Sequence, residues 1–359
     1  MSKVIIRECG DYDAPAVEKI VDEVFDTFDT PVAGKKVLVK PNILGGFKPE
    51  RGVTTHPVFI SALVKTLRSR GAAQVMVGDN PGMGGYAKSE RAARVAGIVE
   101  AAGDAFKNIS QAGERVEVQG QTLMVSKDVF DADVIVNLPR LKTHALTGYT
   151  GAIKNMFGIV VGNDKVNAHR NFPAPDDFSR LMADICALRP PELTILDGIV
   201  SMEGNGPNAG KLRKTGKILA SSDPVALDFA ALEMIGLPHT HVPMVDRARE
   251  LGLGDWENVE LDGNLEKFPN FKLPITMIIP KGLIKTFFSR IACYFIARRI
   301  PKLIKKKCTA CRICVEQCPA DALTMVDKRP KLDKKKCISC FCCNELCPET
   351  AWKLKIKFT

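Results

Sequence analysis

Eight cysteines near the C-terminus form two runs with one spacing, and thiolates at that spacing bind iron–sulfur clusters. Each run reads C-x2-C-x2-C-x3-C and is followed directly by proline. Three thiolates at every third residue reach three corners of a cubane from one tight loop, and the fourth leaves that loop on a short helical turn. The spacing predicts two [4Fe–4S] clusters as cofactors and single-electron transfer as their chemistry. The predicted metal-binding residues are Cys308, Cys311, Cys314, Cys318, Cys337, Cys340, Cys343 and Cys347.

The doubled run resembles that of bacterial two-cluster ferredoxins, in which the fourth cysteine of each run ligates the other cluster. The resemblance implies one ligand set of Cys308, Cys311, Cys314 and Cys347, and a second of Cys337, Cys340, Cys343 and Cys318. Zinc and disulfides are the alternatives. Zinc sites usually take their ligands as two separated pairs, and disulfides need an oxidising compartment. Neither alternative explains the proline after each run.

Cys342 is an additional cysteine inside the second run. The other four cysteines of that run already complete the spacing. We therefore expect Cys342 to pack beside the cluster as a small apolar residue. Its alternative role is to replace a neighbouring cysteine as an iron ligand.

The net charge of +10 on this 359-residue chain is unevenly distributed. Residues 1–266 hold 30 basic and 35 acidic side chains, whereas residues 267–307 hold 11 basic and no acidic ones. The excess charge belongs to one segment without a nucleic-acid-binding motif, so we predict no nucleic-acid partner. The N-terminus lacks a signal-peptide core, and no apolar stretch of about 18 residues indicates a spanning helix. With thiolate ligands, this predicts a cytoplasmic protein, in an anaerobic host.

Strand-like and helix-like segments alternate along the first 265 residues and must position any site there. Short β-branched runs at 36–40, 74–78 and 133–137 are separated by amphipathic stretches such as 57–70. This order predicts an α/β domain over residues 1–265, with a mostly parallel sheet and helices on both faces. We predict a small α+β two-cluster ferredoxin-like domain over residues 307–359.

Polar motifs follow the predicted strands, at 40–42, 55–57, 78–82, 137–139, 142–144, 197–198 and 221–228. The most distinctive segments are G-A-I-K-N-M-F-G at 151–158, E-G-N-G-P at 203–207 and S-D-P-V-A-L-D at 222–228. Together these motifs resemble the family of the domain of unknown function 362, over roughly residues 1–265. The resemblance implies this fold and an association with iron–sulfur modules, and it implies no established reaction.

The carboxyl ends of parallel strands meet at one edge of a sheet, where such sheets bind ligands. Lysines and histidines gathered there would suit an anionic small molecule such as a carboxylate or phosphate. We predict ligand-binding roles for Lys40, Asn42, His56, Asp79, Lys142, Asn155 and Asp197, and acid, base or clamp roles for His144, Lys154 and His169. The alternative for each is structural, since strand-end Asp and Asn often cap helices. Asp223 before Pro224 is the clearest expected N-cap.

Residues 281–307 carry basic and apolar side chains at roughly helical spacing. We predict a basic amphipathic linker helix within residues 266–306. It either packs on the two domains and offers its basic side to an acidic redox partner protein, which we favour, or makes peripheral membrane contact.

The leading functional prediction is an iron–sulfur redox protein. Its two [4Fe–4S] clusters would relay low-potential electrons to a substrate, cofactor or partner bound by the α/β domain. The first alternative is a ferredoxin-coupled reductase or activating enzyme, a possible oxidoreductase acting on an anionic small molecule. The second is a non-catalytic binding module in which the clusters are structural.

Overall fold

A computed structural model describes residues 2–82, 86–277 and 297–358. The strands are β1 (Ser2–Glu8), β2 (Lys36–Pro41), β3 (Gln74–Val77), β4 (Gly113–Val118), β5 (Gln121–Ser126), β6 (Val134–Leu138), β7 (Arg140–His144), β8 (Gly148–Thr150), β9 (Leu193–Glu203), β10 (Lys211–Ser221), β11 (Val259–Asp262), β12 (Ala297–Leu303), β13 (Leu323–Val326), β14 (Arg329–Leu332) and β15 (Trp352–Phe358). The α-helices are α1 (Ala14–Phe28), α2 (Pro57–Ser69), α3 (Tyr86–Val95), α4 (Ile98–Ala102), α5 (Lys127–Asp131), α6 (Ala152–Asn155), α7 (Asp164–Asn171), α8 (Pro175–Leu188), α9 (Pro224–Ile235), α10 (Pro243–Glu250), α11 (Ile313–Glu316) and α12 (Cys342–Glu345).

A nine-stranded sheet is the centre of the α/β domain, with the order β11-β1-β10-β9-β6-β2-β3 and with β7 and β8 attached beside β9. Strand β2 pairs in parallel with β3 and β6, and β6 and β7 each pair in parallel with β9. The antiparallel pairs are β1 with β10, β9 with β10, and β7 with β8. The predicted mostly parallel α/β sheet is therefore confirmed.

Two hydrophobic layers cover the two faces of this sheet. In β2, Val37 and Val39 pack with helices α1 and α2 on one face, whereas Leu38 packs with α8, α9 and α10 on the other. This alternation follows from the two-residue side-chain period of a strand. The continuous apolar runs of the sequence therefore mark strands that are buried on both faces, as in other sheets covered by helices.

The C-terminal module is built from two antiparallel strand pairs and two one-turn helices. Strands β12 and β15 pair antiparallel, as do β13 and β14. Residues before the two helices have matching left-handed backbones, with φ of 67° at Arg312 and 64° at Phe341. This match reflects the internal repeat of the two cysteine runs.

The predicted linker helix is wrong at residues 297–303, because these form strand β12. Pairing with β15 supplies partners for backbone groups that would otherwise form an open sheet edge. The prediction is also wrong at residues 266–277, which form loops and turns, and at Lys305–Lys307, which form a short 3-10 turn. The remaining residues of the predicted helix, 278–296, lie outside the described residues. Within the described parts of the chain, no helix has the length and apolar composition needed to cross a membrane.

Candidate functional site

The cysteines of the C-terminal module surround two cavities. Cys308, Cys311, Cys314 and Cys347 line the first, and Cys318, Cys337, Cys340, Cys342 and Cys343 line the second. The fourth cysteine of each run therefore faces the cavity of the other run, which matches the sets implied by the ferredoxin resemblance. Iron ligation by each of these residues stays a prediction.

The surroundings of these cysteines fit iron–sulfur cubanes. The backbone N–H of Ala322 donates to Cys318 Sγ at 3.2 Å, and that of Ala351 donates to Cys347 Sγ at 3.2 Å. Such hydrogen bonds favour the thiolate form that binds iron. Among the described residues, no three His, Cys, Asp or Glu side chains converge on the position of a single metal ion. No disulfide joins the eleven cysteines of the described residues.

Cys342 forms part of the wall between the second cysteine cavity and a larger one. A hydrogen bond between the two side chains raises the pKa of the Cys342 thiol and lowers the pKa of Cys340. Cys342 therefore lies beside the second cysteine group as expected, and it also faces the α/β domain.

The larger cavity, of about 80 Å³, lies between the α/β domain and the C-terminal module. On the α/β side, the cavity is lined by residues at the ends of β2, β3 and β7 and on helices α6 and α7. Its side from the module comes from Gln317, Cys342, Glu345 and Leu346. The polar and aromatic lining residues of the α/β domain include Asn42, Asp79, Asn80, Lys142, His144, Thr150, Lys154, Asn155, Phe157, Lys165 and His169.

Seven of the ten residues predicted for the crevice line this cavity: Asn42, Asp79, Lys142, His144, Lys154, Asn155 and His169. Lys40 lies directly behind it and is fully buried, with Nζ 2.8 Å from Asp79 Oδ1. The other oxygen of Asp79 accepts from the backbone N–H of Ile43 at 2.7 Å. Burial lowers the pKa of Lys40, and Asp79 opposes that shift. Lys40 therefore stabilises the wall of the cavity through its ion pair with Asp79 and does not present its charge to a ligand.

His56 and Asp197 lie in a different cluster, so the prediction that they join the crevice is wrong. Asp197 Oδ2 lies 3.2 Å from Arg140 Nη1, and Asp197 Oδ1 accepts from the Tyr12 hydroxyl at 3.0 Å. The His56 ring stacks on Tyr12 at 3.6 Å and its Nδ1 accepts from Val58 N at the start of α2. Asp197 thus pairs with Arg140, and the backbone N–H of His56 donates to Asp197 Oδ2 at 3.2 Å, so both residues have partners within this cluster.

Three lysines present ammonium groups to the cavity. Lys142 Nζ donates to Asn42 Oδ1 at 2.5 Å and to the Val53 carbonyl at 2.6 Å, and Lys165 Nζ donates to the Asn80 carbonyl. Within the described chain the half-buried Lys154 ammonium has no hydrogen-bond partner, and it lies 5.8 Å from the Phe157 ring centre. Burial lowers the pKa of all three lysines, that of Lys165 to about 7.

The two histidines of the cavity are neutral. His144 Nδ1 accepts from the backbone N–H groups of Leu146 at 3.1 Å and Thr147 at 3.3 Å, so Nε2 carries the ring proton. His144 Nε2 lies 3.3 Å from Glu345 Oε1, without the alignment of a hydrogen bond. His169 stacks on Phe178 at 4.1 Å. Burial lowers the pKa of His144 well below its ordinary value and that of His169 to about 3.

Helix α6 carries Lys154 and Asn155, and a buried carboxylate anchors its first turn. Asp228, in the S-D-P-V-A-L-D motif, accepts from the backbone N–H groups of Ala152 at 2.6 Å and Ile153 at 3.0 Å. A Cβ atom at Gly151 would lie 2.2 Å from Asp228 Oδ1, so glycine is needed there. Two of the distinctive motifs therefore meet in one contact that positions the lysine.

The expected N-cap at Asp223 is confirmed. Its Oδ1 accepts from Val225 N at 2.8 Å and from Ala226 N at 2.9 Å at the start of α9. This carboxylate is separate from the cavity.

Sequence reasoning missed the contribution of the C-terminal module to the cavity. Gln317 and Glu345 lie inside the cysteine runs, where the cysteine spacing dominates the pattern. Lys165 was also missed, although a buried lysine four residues before His169 on α7 shares a face with it. The E-G-N-G-P motif lies where the C-terminal module docks on the α/β domain. Pro207 lines the cavity, and the next residue, Asn208, donates to the carbonyl of Cys347 at 2.8 Å.

Comparisons with known sequences agree with both parts of the chain. The family described as "Domain of unknown function (DUF362)" matches residues 37–233, and the "4Fe-4S dicluster domain" family matches residues 300–348. The "Thylakoid-associated protein sll1697" of Synechocystis sp. (strain ATCC 27184 / PCC 6803 / Kazusa) is 33% identical over 276 residues, which cover 71% of this chain and 82% of that protein.

Two solved structures are similar at low sequence identity. The lactate racemase apoprotein from Thermoanaerobacterium thermosaccharolyticum has a TM-score of 0.43 and 16% identity, over 61% of this chain and 54% of that one. A Thermotoga maritima protein has a TM-score of 0.39 and 14% identity, over 68% of this chain and 60% of that one. This chain thus spans less than two thirds of either structure. By its sequence, the chain belongs to the DUF362 family and carries a C-terminal iron–sulfur domain of the 4Fe-4S dicluster type.

Proposed function

We propose that this protein relays single electrons, through two [4Fe–4S] clusters, to a small anionic ligand held between its two domains. One observation carries the proposal. Cys342 and Glu345 of the second cysteine run line the same cavity as Lys154 and His144 of the α/β domain. The second cysteine group and the candidate ligand site therefore share a wall.

The two cysteine groups differ in their surroundings, and this gives the relay a direction. Cys311 of the first group is exposed, and so are the neighbouring Lys305, Lys306, Lys307 and Arg312. These cations suit an acidic redox partner protein that donates one electron at a time. The second group faces the cavity instead. Electrons therefore enter at the first group and leave at the second.

The cavity offers groups that stabilise negative charge on an accepting ligand. Each electron adds one negative charge, which the ammonium groups of Lys142, Lys154 and Lys165 offset. His144 Nε2–H is placed to donate a hydrogen bond to the ligand, because Nδ1 is already engaged by backbone N–H groups. In this proposal Lys154 is the clamp and His144 is the donor.

A module whose clusters are only structural is the competing function. Clusters with this purely structural role, here called a staple, would stabilise the C-terminal fold. They would not require the second cysteine group to share a wall with a lysine-rich cavity. Reversible reduction of both clusters in a folded protein distinguishes the relay from the staple.

Redox titration of the anaerobically reconstituted protein, followed by electron paramagnetic resonance, tests the relay. We expect about eight irons per chain and two reversible one-electron steps. Lys154→Met removes a positive charge beside the second group, which disfavours reduction. One of the two potentials should then fall, on the order of tens of millivolts.

The matched control is Lys127→Met, which removes an exposed lysine on α5. It should leave both potentials unchanged. Clusters that are lost on reduction would favour the staple. If Lys154→Met shifts neither potential, the cavity and the clusters are uncoupled and the proposal is wrong.

Peripheral membrane contact is a separate proposal for the basic segment at residues 281–307. A relative is named for its association with thylakoids, and each basic residue near an anionic lipid surface adds about 1 kcal/mol of attraction. Sedimentation with vesicles tests it. The protein should bind vesicles that contain phosphatidylglycerol and should not bind neutral phosphatidylcholine vesicles. Equal recovery with both would contradict the proposal.

A further inference from the structure

Unpaired polar atoms concentrate in the cavity between the two domains. Among the described residues, eleven buried side-chain nitrogen and oxygen atoms have no hydrogen-bond partner. Six of these eleven belong to residues that line this cavity: His144, Thr150, Asn155, His169, Gln317 and Glu345. Buried polar groups in folded proteins are nearly always hydrogen-bonded. This concentration therefore indicates a site made for a polar ligand.

Several of the unpaired atoms are acceptors, which a simple anion cannot satisfy. The Asn155 amide nitrogen donates to Asn137 Oδ1 at 2.8 Å, so the unpaired Asn155 Oδ1 is an acceptor. Gln317 Oε1 is an unpaired acceptor as well, and Glu345 Oε1 lies 3.3 Å from His144 Nε2 without a hydrogen bond. Together these oxygens call for a ligand that brings at least one hydrogen-bond donor of its own.

The remaining groups call for negative charge on the same ligand. Lys142, Lys154 and Lys165 present three ammonium groups to the cavity. Asp79 is already paired with Lys40 at 2.8 Å, which leaves Glu345 as the only other carboxylate among the described lining residues. His144 Nε2–H adds a neutral donor. The cavity therefore combines basic and donor groups with unpaired acceptors.

We propose that this cavity binds a small carboxylate that also carries a hydroxyl or amino donor, an inference that rests on the proposed function and names its ligand class. The carboxylate meets Lys154 and His144, and the donor meets Asn155 Oδ1 or Gln317 Oε1. A volume of about 80 Å³, against roughly 10–15 Å³ for a cavity that just holds one water molecule, gives room for a ligand of several heavy atoms. A site built for a donor rejects analogues without it, because its acceptors stay unpaired.

Calorimetric titration of the oxidised, cluster-loaded protein tests this class with four probes of nearly equal size. Glycolate and glycine carry a carboxylate and a donor, acetate lacks the donor, and glycolamide lacks the charge. We expect the tighter of glycolate and glycine to bind at least about tenfold more strongly than acetate and glycolamide. Equal binding of acetate, equal binding of glycolamide, or no binding of any probe would each overturn the inference.

Two substitutions assign the ligand contacts to the two sides of the cavity. Lys154→Met should weaken binding of every carboxylate probe about tenfold, whereas Lys127→Met should change none. Gln317→Leu, whose iron content and spectrum are checked first, should weaken the donor-bearing probe and leave acetate unchanged. If Gln317→Leu weakens both probes equally, the donor contact is wrong.

The outcome for binding is independent of the outcome for electron transfer, since the titration contains no reductant. If the predicted selectivity is found but Lys154→Met shifts neither cluster potential, the relay fails and the ligand class stands. If the potential shifts but no probe binds selectively, the relay stands and the ligand class fails.

Discussion

Asn208 Nδ2 in the loop between β9 and β10 lies 2.8 Å from the carbonyl oxygen of Cys347, the last cysteine of the second run. The same nitrogen lies 3.2 Å from the carbonyl oxygen of Glu345. Asn208 is 2% exposed, so both carbonyls are paired inside a buried contact. The α/β domain thus holds the second cysteine run by its backbone, beside the cavity.

Asn208→Ala should therefore loosen the docking of the C-terminal module. It leaves two buried carbonyls without this donor, which we expect to cost about 1–3 kcal/mol. The midpoint of urea unfolding should fall, and a chelator should remove iron faster than from the wild type. The matched control is Asn167→Ala, which removes an exposed side chain that donates to half-buried Asp164 on the same helix. If the two variants behave alike, the Asn208 contact does not hold the module.

Lys40 and Lys154 are close in space and should respond oppositely to substitution by methionine. Lys40→Met leaves the Asp79 carboxylate buried without its partner, which should cost about 3–5 kcal/mol of unfolding free energy. Lys154→Met removes a cation that has no hydrogen bond within the described chain, so stability should stay within about 1 kcal/mol of the wild type or rise. Urea unfolding measures both. A large loss of stability in Lys154→Met would show that Lys154 is structural rather than ligand-binding.

The contribution of His169 to the stability of the protein should fall as the pH falls from about 7 to 5. Asp228 and Glu345, whose pKa values burial raises to about 7, act in the opposite direction over this range. Burial lowers the pKa of His169 to about 3 in the folded chain, while the unfolded value is about 6.5. Between these two values the unfolded state binds the proton and the folded state does not, so acid favours unfolding. At pH 5 this amounts to about 2 kcal/mol.

His169→Phe removes this titration and retains a ring against Phe178. Urea unfolding at pH 7 and pH 5 measures this term: the change in the free energy of unfolding from pH 7 to pH 5 should be more positive in the variant than in the wild type, by about 2 kcal/mol. The difference between the two slopes isolates His169 from other groups that titrate in this range. Parallel slopes would mean that His169 is protonated in the folded protein as readily as in the unfolded one.

Cys342 and its neighbour Cys340 should differ in their effect on iron content. Cys340→Ala removes a predicted ligand, and we expect it to lose up to about four irons per chain. Cys342→Ala should keep the full iron content, because Cys342 packs in the wall between the cysteine cavity and the larger cavity. It should still change the spectrum of one cluster. If Cys342→Ala loses iron and Cys340→Ala retains it, Cys342 is the iron ligand and Cys340 is the packing residue.

Local patterns predicted the sheet well and some of its connections poorly. The apolar runs of β2, β3 and β6 indicated buried parallel strands, since such strands are covered on both faces. The long β9–β10 hairpin has an apolar, strand-like composition only at its ends, near residues 193–196 and 218–220. Its outer parts are polar, and their pairing depends on the opposite strand rather than on their own composition.

Most of the residues that were predicted to form the crevice do line the cavity, because the order of the strands brings the ends of the strands together. Asn42, Asp79, Lys142 and Asn155 meet there for that reason. Asp197 instead lies within β9, where it forms a separate buried ion pair with Arg140, and His56 caps the start of α2. Residue type and position alone could not decide between these two environments.

The sequence by itself determined the iron–sulfur character of the C-terminal module, because closely spaced cysteines bind a cluster through local geometry. The tertiary structure alone decided where that module sits. It brings Gln317 and Glu345 against Lys154 and His144, more than 150 residues apart in the chain. Periodicity reports only on near neighbours in the chain, whereas this cavity is created by the docking of one folded surface on another.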